Sequence, residues 1–243
     1  GRVMAVAVKP YSVMGLPVHL IDDYTAWLRS RLQQQLGTHV VTLNAEMSMQ
    51  AEQNSALANA IQKAELVIPD GAGVVLYLKL LFHQQVRRCP GIELAESLLQ
   101  NTEARVFFYG GAPGVAAKAA EAWRQQIPDL NIIGTQHGYV SPEDVEFQQT
   151  LSQLQPELIF VGLGVPRQEL WIAQNRFLCP NATWIGVGGS FDIWAGTKSR
   201  APGWLANNHL EWLYRLYQEP WRWRRMLALP QFAGKAIVYR LTH

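Results

Sequence analysis

Residues 158–169 read LIFVGLGVPRQE, which is an apolar run followed by a turn with two glycines and a polar segment. Short apolar runs with β-branched residues are typical of strands buried in a parallel sheet, so we predict a strand over Leu158–Val161. Proline is favoured where a helix starts, and a helix is predicted over Arg167–Arg176, directly after Pro166. A strand, a glycine turn and a helix in this order indicate a βαβ unit and hence an α/β fold.

The same alternation continues on both sides and predicts a Rossmann-like α/β sandwich, in which helices flank a mostly parallel sheet. The other predicted strands are Val3–Val8, His39–Leu43, Leu66–Ile68, Arg105–Tyr109, Asn131–Gly134 and Thr183–Val187. The other predicted helices are one that begins at Asp22 or Asp23 and ends at Gly37, and then Ser48–Ala64, Gly73–Phe82, Ile92–Leu99, Pro113–Gln126 and Pro142–Leu154. Ser141 is predicted to cap the last of these, and a small antiparallel piece is predicted around Gly15.

The pattern changes after Gly196, where leucines and aromatic residues at helical spacing replace the alternation of strand and helix. We predict that Pro220 begins the second helix of this region and that Pro230 ends it. The chain is therefore divided into an α/β body over 1–195 and a helical appendage over 196–243.

Positive charge and tryptophan are concentrated in the appendage. Residues 200–243 contain six arginines and one lysine against two glutamates, a net charge of +5, whereas the rest of the chain carries −3. The same segment holds four of the nine tryptophans: Trp204, Trp212, Trp221 and Trp223. This asymmetry favours an anionic partner, either a membrane surface or nucleic acid, and packing of the aromatic rings onto the body is the alternative. No apolar run approaches the ~20 residues that span a bilayer, and two distant cysteines favour a reducing compartment.

Three predicted strands end in glycine-rich turns. In an open parallel sheet, ligands bind at the carboxyl ends of the strands, where glycine lets the backbone approach a phosphate and a following helix supplies N–H donors. Tight turns that bind no ligand are the alternative. We predict a nucleotide site formed by Gly110, Gly111, Gln136, Gly138, Gly162, Gly164 and Gly188.

The surrounding residues restrict which nucleotide this site can bind. A dinucleotide fold requires an acid about 20 residues after the glycines, for the ribose, and the corresponding strand ends in Gln136-His137-Gly138 instead. The chain also lacks GxxxxGK[ST], which counts against a P-loop kinase or ATPase. A nucleotide-sugar enzyme fits best, and an oxidoreductase or hydrolase on the same fold is the alternative. HxH, HExxH and DxD pairs are absent, so no metal site is predicted.

Polar side chains follow two of the predicted strands. Asp70 comes just after Leu66–Ile68, where its carboxylate is placed either to act as a general base or to cap the next helix. Thr42 and Asn44 lie on the same side of an extended strand, where they suit either contacts with sugar hydroxyls or local turn formation.

Three further residues are candidates for binding. Arg88 suits either a bidentate phosphate contact or simple exposure to solvent. Gln168, at the start of a predicted helix, suits donation to a substrate. The adjacent Glu169 suits either a base or a favourable charge in the first helical turn.

Several of these residues belong to motifs that occur together and in order in one family. The motifs are Thr42–Glu46, Pro69–Gly71, Arg88–Gly91, Gly162–Glu169, Gly186–Asp192, Arg200–Pro202, Leu210–Leu216 and Glu219–Pro220. Each motif alone is unspecific, but the ordered set is specific and extends from about Gly15 to Arg225. The chain resembles the WecG/TagA/CpsF glycosyltransferases, which form glycosyltransferase family 26.

The resemblance implies an inverting, metal-independent glycosyltransferase that needs no cofactor. Such an enzyme transfers a sugar, typically N-acetylmannosamine or a relative, from a UDP-sugar to a sugar on a membrane polyprenyl diphosphate, for cell-wall or surface polysaccharide. The implied partners are the UDP-sugar donor, the lipid-linked acceptor and an anionic membrane surface, with no nucleic acid. The implied location is cytoplasmic and peripheral, on the inner face of the plasma membrane, and a homo-oligomer is left open.

The resemblance also implies roles for individual residues. Asp70 matches the family's proposed general base. The positions that match its substrate-contacting residues are Thr42, Asn44, Arg88 and Gln168. Those that match arginines of an appendage thought to close over the active site and meet the membrane are Arg215, Arg222 and Arg225. A non-enzymatic membrane- or nucleic-acid-binding protein is the remaining alternative, and it leaves Asp70 and Gln168 without a role.

Overall fold

The computed structural model describes residues 10–83, 86, 90–199 and 211–243, with the backbone alone described at 72, 211–213, 215, 222, 225 and 226. The strand predicted over Val3–Val8 lies outside the described residues, as do Arg88 and Trp204. The side chains of Arg215, Arg222 and Arg225 also lie outside the description, although their backbone is helical. The roles proposed for these four arginines therefore stay predictions.

The strands confirm the predicted α/β class. β1 (Tyr11–Val13) and β2 (Leu16–Val18) form an antiparallel hairpin, which is the small piece predicted around Gly15. The others are β3 (Thr38–Leu43), β4 (Leu66–Pro69), β5 (Val106–Gly110), β6 (Ile132–Gln136), β7 (Leu158–Gly162) and β8 (Thr183–Gly186). These six form one parallel sheet in the order β4-β3-β8-β7-β5-β6.

Successive residues of each strand bury their side chains on opposite faces of this sheet, as extended backbone requires. One face carries Val40, Ile68, Phe108, Phe160 and Ile185. The other face carries Val41, Val67, Tyr109, Val161 and Trp184. Helices cover both faces, and this is why the strands read as continuous apolar runs in the sequence.

Most of the described helices form two layers, one on each face of the sheet. The described helices are α1 (Tyr24–Gln33), α2 (Ala45–Gln53), α3 (Ser55–Lys63), α4 (Gly71–Leu81), α5 (Gly91–Gln100), α6 (Val115–Gln126), α7 (Val145–Leu154), α8 (Arg167–Asn175), α9 (Ser190–Trp194), α10 (Glu211–Gln218), α11 (Trp223–Met226) and α12 (Ala228–Thr242). The first face is covered by α1, α5, α6 and α9, and the second by α2, α3, α4, α7 and α8. Connections that run in opposite directions along the sheet thus cross on opposite faces, as right-handed crossovers require.

The single helix predicted over Ser48–Ala64 is wrong, because the chain breaks it at Asn54. The backbone of Asn54 is extended, and its Oδ1 accepts a hydrogen bond from Leu57 N at 3.1 Å. Asparagine bonds to nearby backbone groups in competition with a helix interior and is favoured as an N-cap. It therefore ends α2 and starts α3.

The helix predicted to start at Pro142 starts instead at Val145. Its N-cap is Asp144, whose Oδ1 accepts a hydrogen bond from Phe147 N at 2.8 Å. Ser141 forms a turn ahead of the helix: its Oγ accepts a hydrogen bond from Glu143 N at 3.3 Å, and its carbonyl oxygen accepts one from Asp144 N at 3.0 Å. The carboxylate is therefore the cap that this sequence uses.

Gly37 does not end α1, contrary to the prediction. The helix is capped by Asp23, as predicted, but it ends at Gln33, four residues before the glycine. A Cβ at residue 37 would lie 2.1 Å from the carbonyl oxygen of Pro180. Glycine is needed here because two backbone segments approach each other closely.

Pro230 does not end a helix either, contrary to the prediction. It is the third residue of α12, which continues to Thr242. Proline is tolerated in the first turn because the N–H that it lacks has no acceptor within the helix there. Pro220 does begin a helical segment, although that segment is a single 3₁₀ turn, Pro220–Arg222, that leads into α11.

The last helix is packed on the body. Phe232 and Ala236 of α12 are buried in the core beside α2 and α4, and the rings of Phe232 and Tyr77 meet edge to face with their centroids 6.0 Å apart. At the rim of this contact, Lys235 Nζ lies 2.7 Å from Glu52 Oε2. The C-terminal residues thus contribute to the core of the α/β fold, and the division at 195/196 stays a prediction.

Two glycine-to-alanine variants should change stability in opposite directions. Gly37→Ala forces the backbone away from Pro180 and should lower the free energy of unfolding by about 1–3 kcal/mol or more. Gly234→Ala replaces a glycine inside α12 that has open space beside it, and it should raise that free energy by about 0.5–1 kcal/mol. Chemical denaturation of the purified variants measures both free energies of unfolding. Equal changes in the two variants would contradict the close approach of the backbone at Gly37.

Candidate active site

All six strands of the parallel sheet end at one edge, and the predicted site residues follow these ends. Asn44 and Asp70 follow β3 and β4, at one side of the sheet. Gly111 and Gly138 follow β5 and β6, at the other side. The turns after β7 and β8 lie between them. All the predicted site residues that the structure describes are therefore arranged in a row along this edge of the sheet.

The glycine turns pack backbone against backbone. Gly111 N donates to the carbonyl oxygen of Gly162 at 3.2 Å, and Gly138 N donates to that of Gly111 at 2.8 Å. A Cβ at residue 110 would lie 2.3 Å from the Gly162 oxygen, and one at residue 162 would lie 2.7 Å from the oxygen of Gly188. Four neighbouring strand ends are therefore held together by close packing that side chains would block.

Two predicted glycines differ from these, because space is open beside them. Gly164 and Gly188 have φ angles of +78° and +51°, and a Cβ at either position would meet no atom of the described residues within 4 Å. Packing inside the protein does not require glycine there, although the left-handed backbone favours it. At these two positions, the described residues leave the backbone of the turn open to a ligand.

Asp70 occupies the N-cap position of α4 without acting as a cap. Its side chain accepts no hydrogen bond from the first turn of α4. Its backbone N–H donates to the carbonyl oxygen of Leu43 at 2.8 Å, so the residue is fixed to the end of β3. Of the two interpretations drawn from the sequence, capping does not describe the carboxylate, and the role of general base stays a prediction.

Thr42 is on the neighbouring strand β3, and Asn44 directly follows that strand, so both are close to the backbone of Asp70. Asn44 Oδ1 accepts a hydrogen bond from Met47 N at 2.8 Å and caps α2, which leaves the amide NH₂ as the group that can donate to a ligand. A Cβ at Gly71, the residue after Asp70, would lie 3.8 Å from the Asn44 Cβ. A Cβ at Gly91 would lie 3.3 Å from Thr42 Cγ2, so the start of α5 packs on Thr42.

Gln168 connects helix α8 to the turn after β8. Its side chain is 3% exposed, and its Oε1 accepts a hydrogen bond from Gly188 N at 3.1 Å. The next residue, Glu169, is 1% exposed and lies 3.4 Å from Nε2 of the equally buried His39. Sequence reasoning missed His39, although a histidine in the otherwise apolar strand was a signal.

Tyr109 and Arg167 support the far side of the edge. Burial raises the pKa of Tyr109 above its usual 10; Arg167 opposes this effect and Asp144 adds to it. The phenol therefore stays protonated at neutral pH, and its ring packs against those of Phe147 and Trp171. Arg167 donates to the carbonyl oxygen of Gly138 at 2.8 Å and holds the turn after β6 in place.

The predicted site residues fall into two groups along the edge. Neighbouring strands are about 4.8 Å apart, and five such spacings separate β4 from β6, so Asp70 and Gln136 are about 24 Å apart. Thr42, Asn44, Asp70, Gln168 and Gly188 lie in the half around β4, β3 and β8. Those that lie around β7, β5 and β6 are Gly110, Gly111, Gln136, Gly138, Gly162 and Gly164. The two groups adjoin at the neighbouring turns of Gly162 and Gly188, and a ligand that reaches from Asp70 to Gln136 must be long.

Comparison with known proteins places the chain in a family. The model of the glycosyl transferase WecG/TagA/CpsF family matches residues 11–243. The chain belongs to this family. A relative from Bacillus spizizenii is 39% identical over 204 residues, which cover 83% of this chain and 79% of that protein. One from Bacillus subtilis is 34% identical over 205 residues, which cover 83% and 80%. Both bear the name N-acetylglucosaminyldiphosphoundecaprenol N-acetyl-beta-D-mannosaminyltransferase.

Membership of the WecG/TagA/CpsF family makes this protein a glycosyltransferase, and the edge of its sheet is the candidate active site. Within the described ranges, no three His, Cys, Asp or Glu side chains gather closely enough to hold a metal ion. No helix in the described part of the chain is both long and apolar enough to cross a bilayer.

Asn44→Asp should separate the capping role of Asn44 from a role in binding. Aspartate caps a helix as well as asparagine does, so stability should change little, but the NH₂ donor is lost and a charge is added. We expect glycosyl transfer to fall at least tenfold. Asn54→Asp makes the same change at the cap of α3 and should leave transfer unchanged. Equal activity of the two variants would exclude substrate contact by Asn44.

Proposed function

We propose that this glycosyltransferase moves N-acetylmannosamine from a UDP-sugar to N-acetylglucosamine carried on undecaprenyl diphosphate, with inversion and without a metal ion. The observation that carries the proposal is the Asp70 carboxylate, which stands at a strand end and does not cap its helix. The names of the two Bacillus relatives support the transferred sugar and the lipid-linked acceptor. The product would feed cell-wall or surface polysaccharide.

Inversion requires one displacement at the anomeric carbon of the donor. In this proposal Asp70 accepts the proton of the acceptor hydroxyl while that oxygen attacks the anomeric carbon, and UDP departs from the opposite side. The carboxylate sits on a short side chain at the end of a buried strand, so its position is well defined. The neighbouring NH₂ group of Asn44 and the hydroxyl of Thr42 suit hydrogen bonds to sugar groups.

The leaving diphosphate needs positive or hydrogen-bonding groups around it. The turns at Gly164 and Gly188 offer backbone that a phosphate can approach, since no side chain among the described residues lies within 4 Å of the position a Cβ would take there. The resemblance assigns the remaining charge to Arg215, Arg222 and Arg225. They belong to α10, to the 3₁₀ turn and to α11, and such arginines would take the place of a metal ion.

We also propose that the protein binds the inner face of the plasma membrane peripherally, through the basic segment that carries these arginines. Trp221 is 70% exposed and Trp223 is 54% exposed, which supports a role at a membrane interface over packing onto the body. Arginines beside exposed tryptophans suit anionic lipid headgroups. A lipid-linked acceptor would be found at the same surface. Homo-oligomer formation stays a prediction.

Two alternatives raised by the sequence are less well supported. A nucleotide-dependent oxidoreductase or hydrolase on the same fold does not agree with membership of a glycosyltransferase family. A non-enzymatic binding protein disagrees with it in the same way. Binding of a panel of UDP-sugars, compared with NAD, tests the nucleotide class directly.

Asp70→Asn should abolish most turnover and leave donor binding nearly unchanged. The amide keeps the shape of the carboxylate but accepts no proton, and a proton-transfer group contributes about 10²–10⁴-fold to a rate. We expect kcat with a short-chain lipid diphosphate acceptor to fall by about that factor, while the Kd for the UDP-sugar stays within about twofold. The control is Asp23→Asn, which preserves the cap of α1. Full activity of Asp70→Asn would contradict the assignment.

Replacing the two exposed tryptophans should weaken membrane binding. Trp221→Ala with Trp223→Ala removes two interfacial rings, and we expect partitioning into vesicles that contain anionic lipid to fall at least tenfold. Phe177→Ala removes a ring that is 69% exposed outside the basic segment, so partitioning should not change. Co-sedimentation measures both variants. Unchanged partitioning of the double variant would favour the packing interpretation.

A further inference from the structure

His39 and Glu169 form a buried pair that the proposed chemistry does not use. His39 is on β3, Glu169 is in the first turn of α8, and each is 1% exposed. Nε2 of the histidine and Oε1 of the glutamate are 3.4 Å apart. The other carboxylate oxygen, Oε2, is buried without a hydrogen-bond partner among the described residues.

A role in stability does not account for this arrangement. A carboxylate that is removed from water needs close and complete hydrogen bonding to recover its hydration energy, and here one oxygen makes a long contact and the other makes none. Apolar side chains of similar size would often stabilise such a position equally well or better. The burial of the Glu169 carboxyl group with so few hydrogen bonds therefore calls for a functional explanation.

The surroundings of Glu169 connect it to the active-site edge. A Cβ at Gly186, the last residue of β8, would lie 2.7 Å and 2.9 Å from the two carboxylate oxygens of Glu169. The same Cβ would lie 2.7 Å from Nε2 of Gln168. The side chains of Gln168 and Glu169 thus lie together on the backbone at the end of β8, where residue 186 has no side chain.

The carboxyl group of Glu169 lies on the donor side of the Gln168 amide, because both of its oxygens and Gln168 Nε2 approach the same position beside Gly186. An amide has a donor end and an acceptor end, and a nearby carboxylate attracts the donor end. The Nε2 of Gln168 is on the side of Glu169, and its Oε1 faces Gly188. This oxygen accepts a hydrogen bond from Gly188 N at 3.1 Å. The Gly188 N–H is thus bonded to an amide that packs beside the buried carboxyl group of Glu169.

We propose that Glu169, held by His39, is a positioning residue that orients Gln168 and the Gly188 turn for catalysis. The pair also joins the strand that carries Thr42 and Asn44 to the helix that carries Gln168, and so sets the spacing of these substrate-contacting candidates. The activity part of this inference rests on the proposed function. The effect on the Gly188 turn does not.

The test is Glu169→Gln, which keeps the size of the side chain and removes its charge. We expect its melting temperature to stay within about 4 °C of the wild-type value, while kcat/KM falls at least tenfold. We also expect hydrogen exchange of the Gly188 amide to become at least tenfold faster, because Gln168 no longer holds it. Glu52→Gln, in the exposed pair with Lys235, is the control and should change neither quantity.

His39→Gln and the double variant complete the test. If the two residues act as one unit, His39→Gln should have the same effects, and the double variant should lose no more activity than the more damaging single variant. His39→Gln also serves if Glu169→Gln fails to fold. Wild-type kcat/KM and Gly188 exchange in a folded Glu169→Gln protein would overturn the inference, and so would additive losses in the double variant.

The two proposals fail in different ways. If the wild-type protein transfers no sugar from any UDP-sugar to the lipid diphosphate acceptor, the proposed function is wrong, and exchange at Gly188 still decides the positioning role. If the wild-type protein is active and the Glu169→Gln and His39→Gln variants match it, the positioning role alone is wrong.

Discussion

Close packing of backbone at the carboxyl edge of the sheet is the constraint on which the rest of the structure depends. Gly110, Gly162 and Gly188 lie so near one another that a single Cβ at residue 110 or 162 would collide with a carbonyl group. Neighbouring strand ends can therefore lie side by side and send their chains to opposite faces of the sheet. The edge that results is formed by backbone over half its length.

This constraint divides the chemistry of the edge. Around β7, β5 and β6 the site presents peptide groups and small turns, which suit contact with phosphates. Around β4, β3 and β8 it presents the side chains of Asp70, Asn44 and Thr42, which suit proton transfer and contact with sugars. A donor that combines a nucleoside diphosphate with a sugar has the same two parts, so the length of the edge agrees with an extended nucleotide-sugar.

Much of this arrangement could be predicted from the sequence. The six strands of the parallel sheet were predictable to within two residues, because burial in the sheet leaves a short run rich in apolar and β-branched residues, although β6 is only partly buried. Helix boundaries were harder: Asn54, Asp144 and Pro230 each act through one local hydrogen bond, made or missing, that composition does not reveal. The pairing of His39 with Glu169 could not be predicted, since 130 residues separate them and only the fold brings them together.

The position of β8 has a consequence for how this protein is made. β8 lies between β3 and β7, yet residues 183–186 come after every other strand in the sequence. Until they are synthesised, β3 with β4 and β5 with β6 and β7 can form only two separate pieces of sheet. The two groups of site residues therefore come together in one late step of long-range pairing, and such pairing is slow.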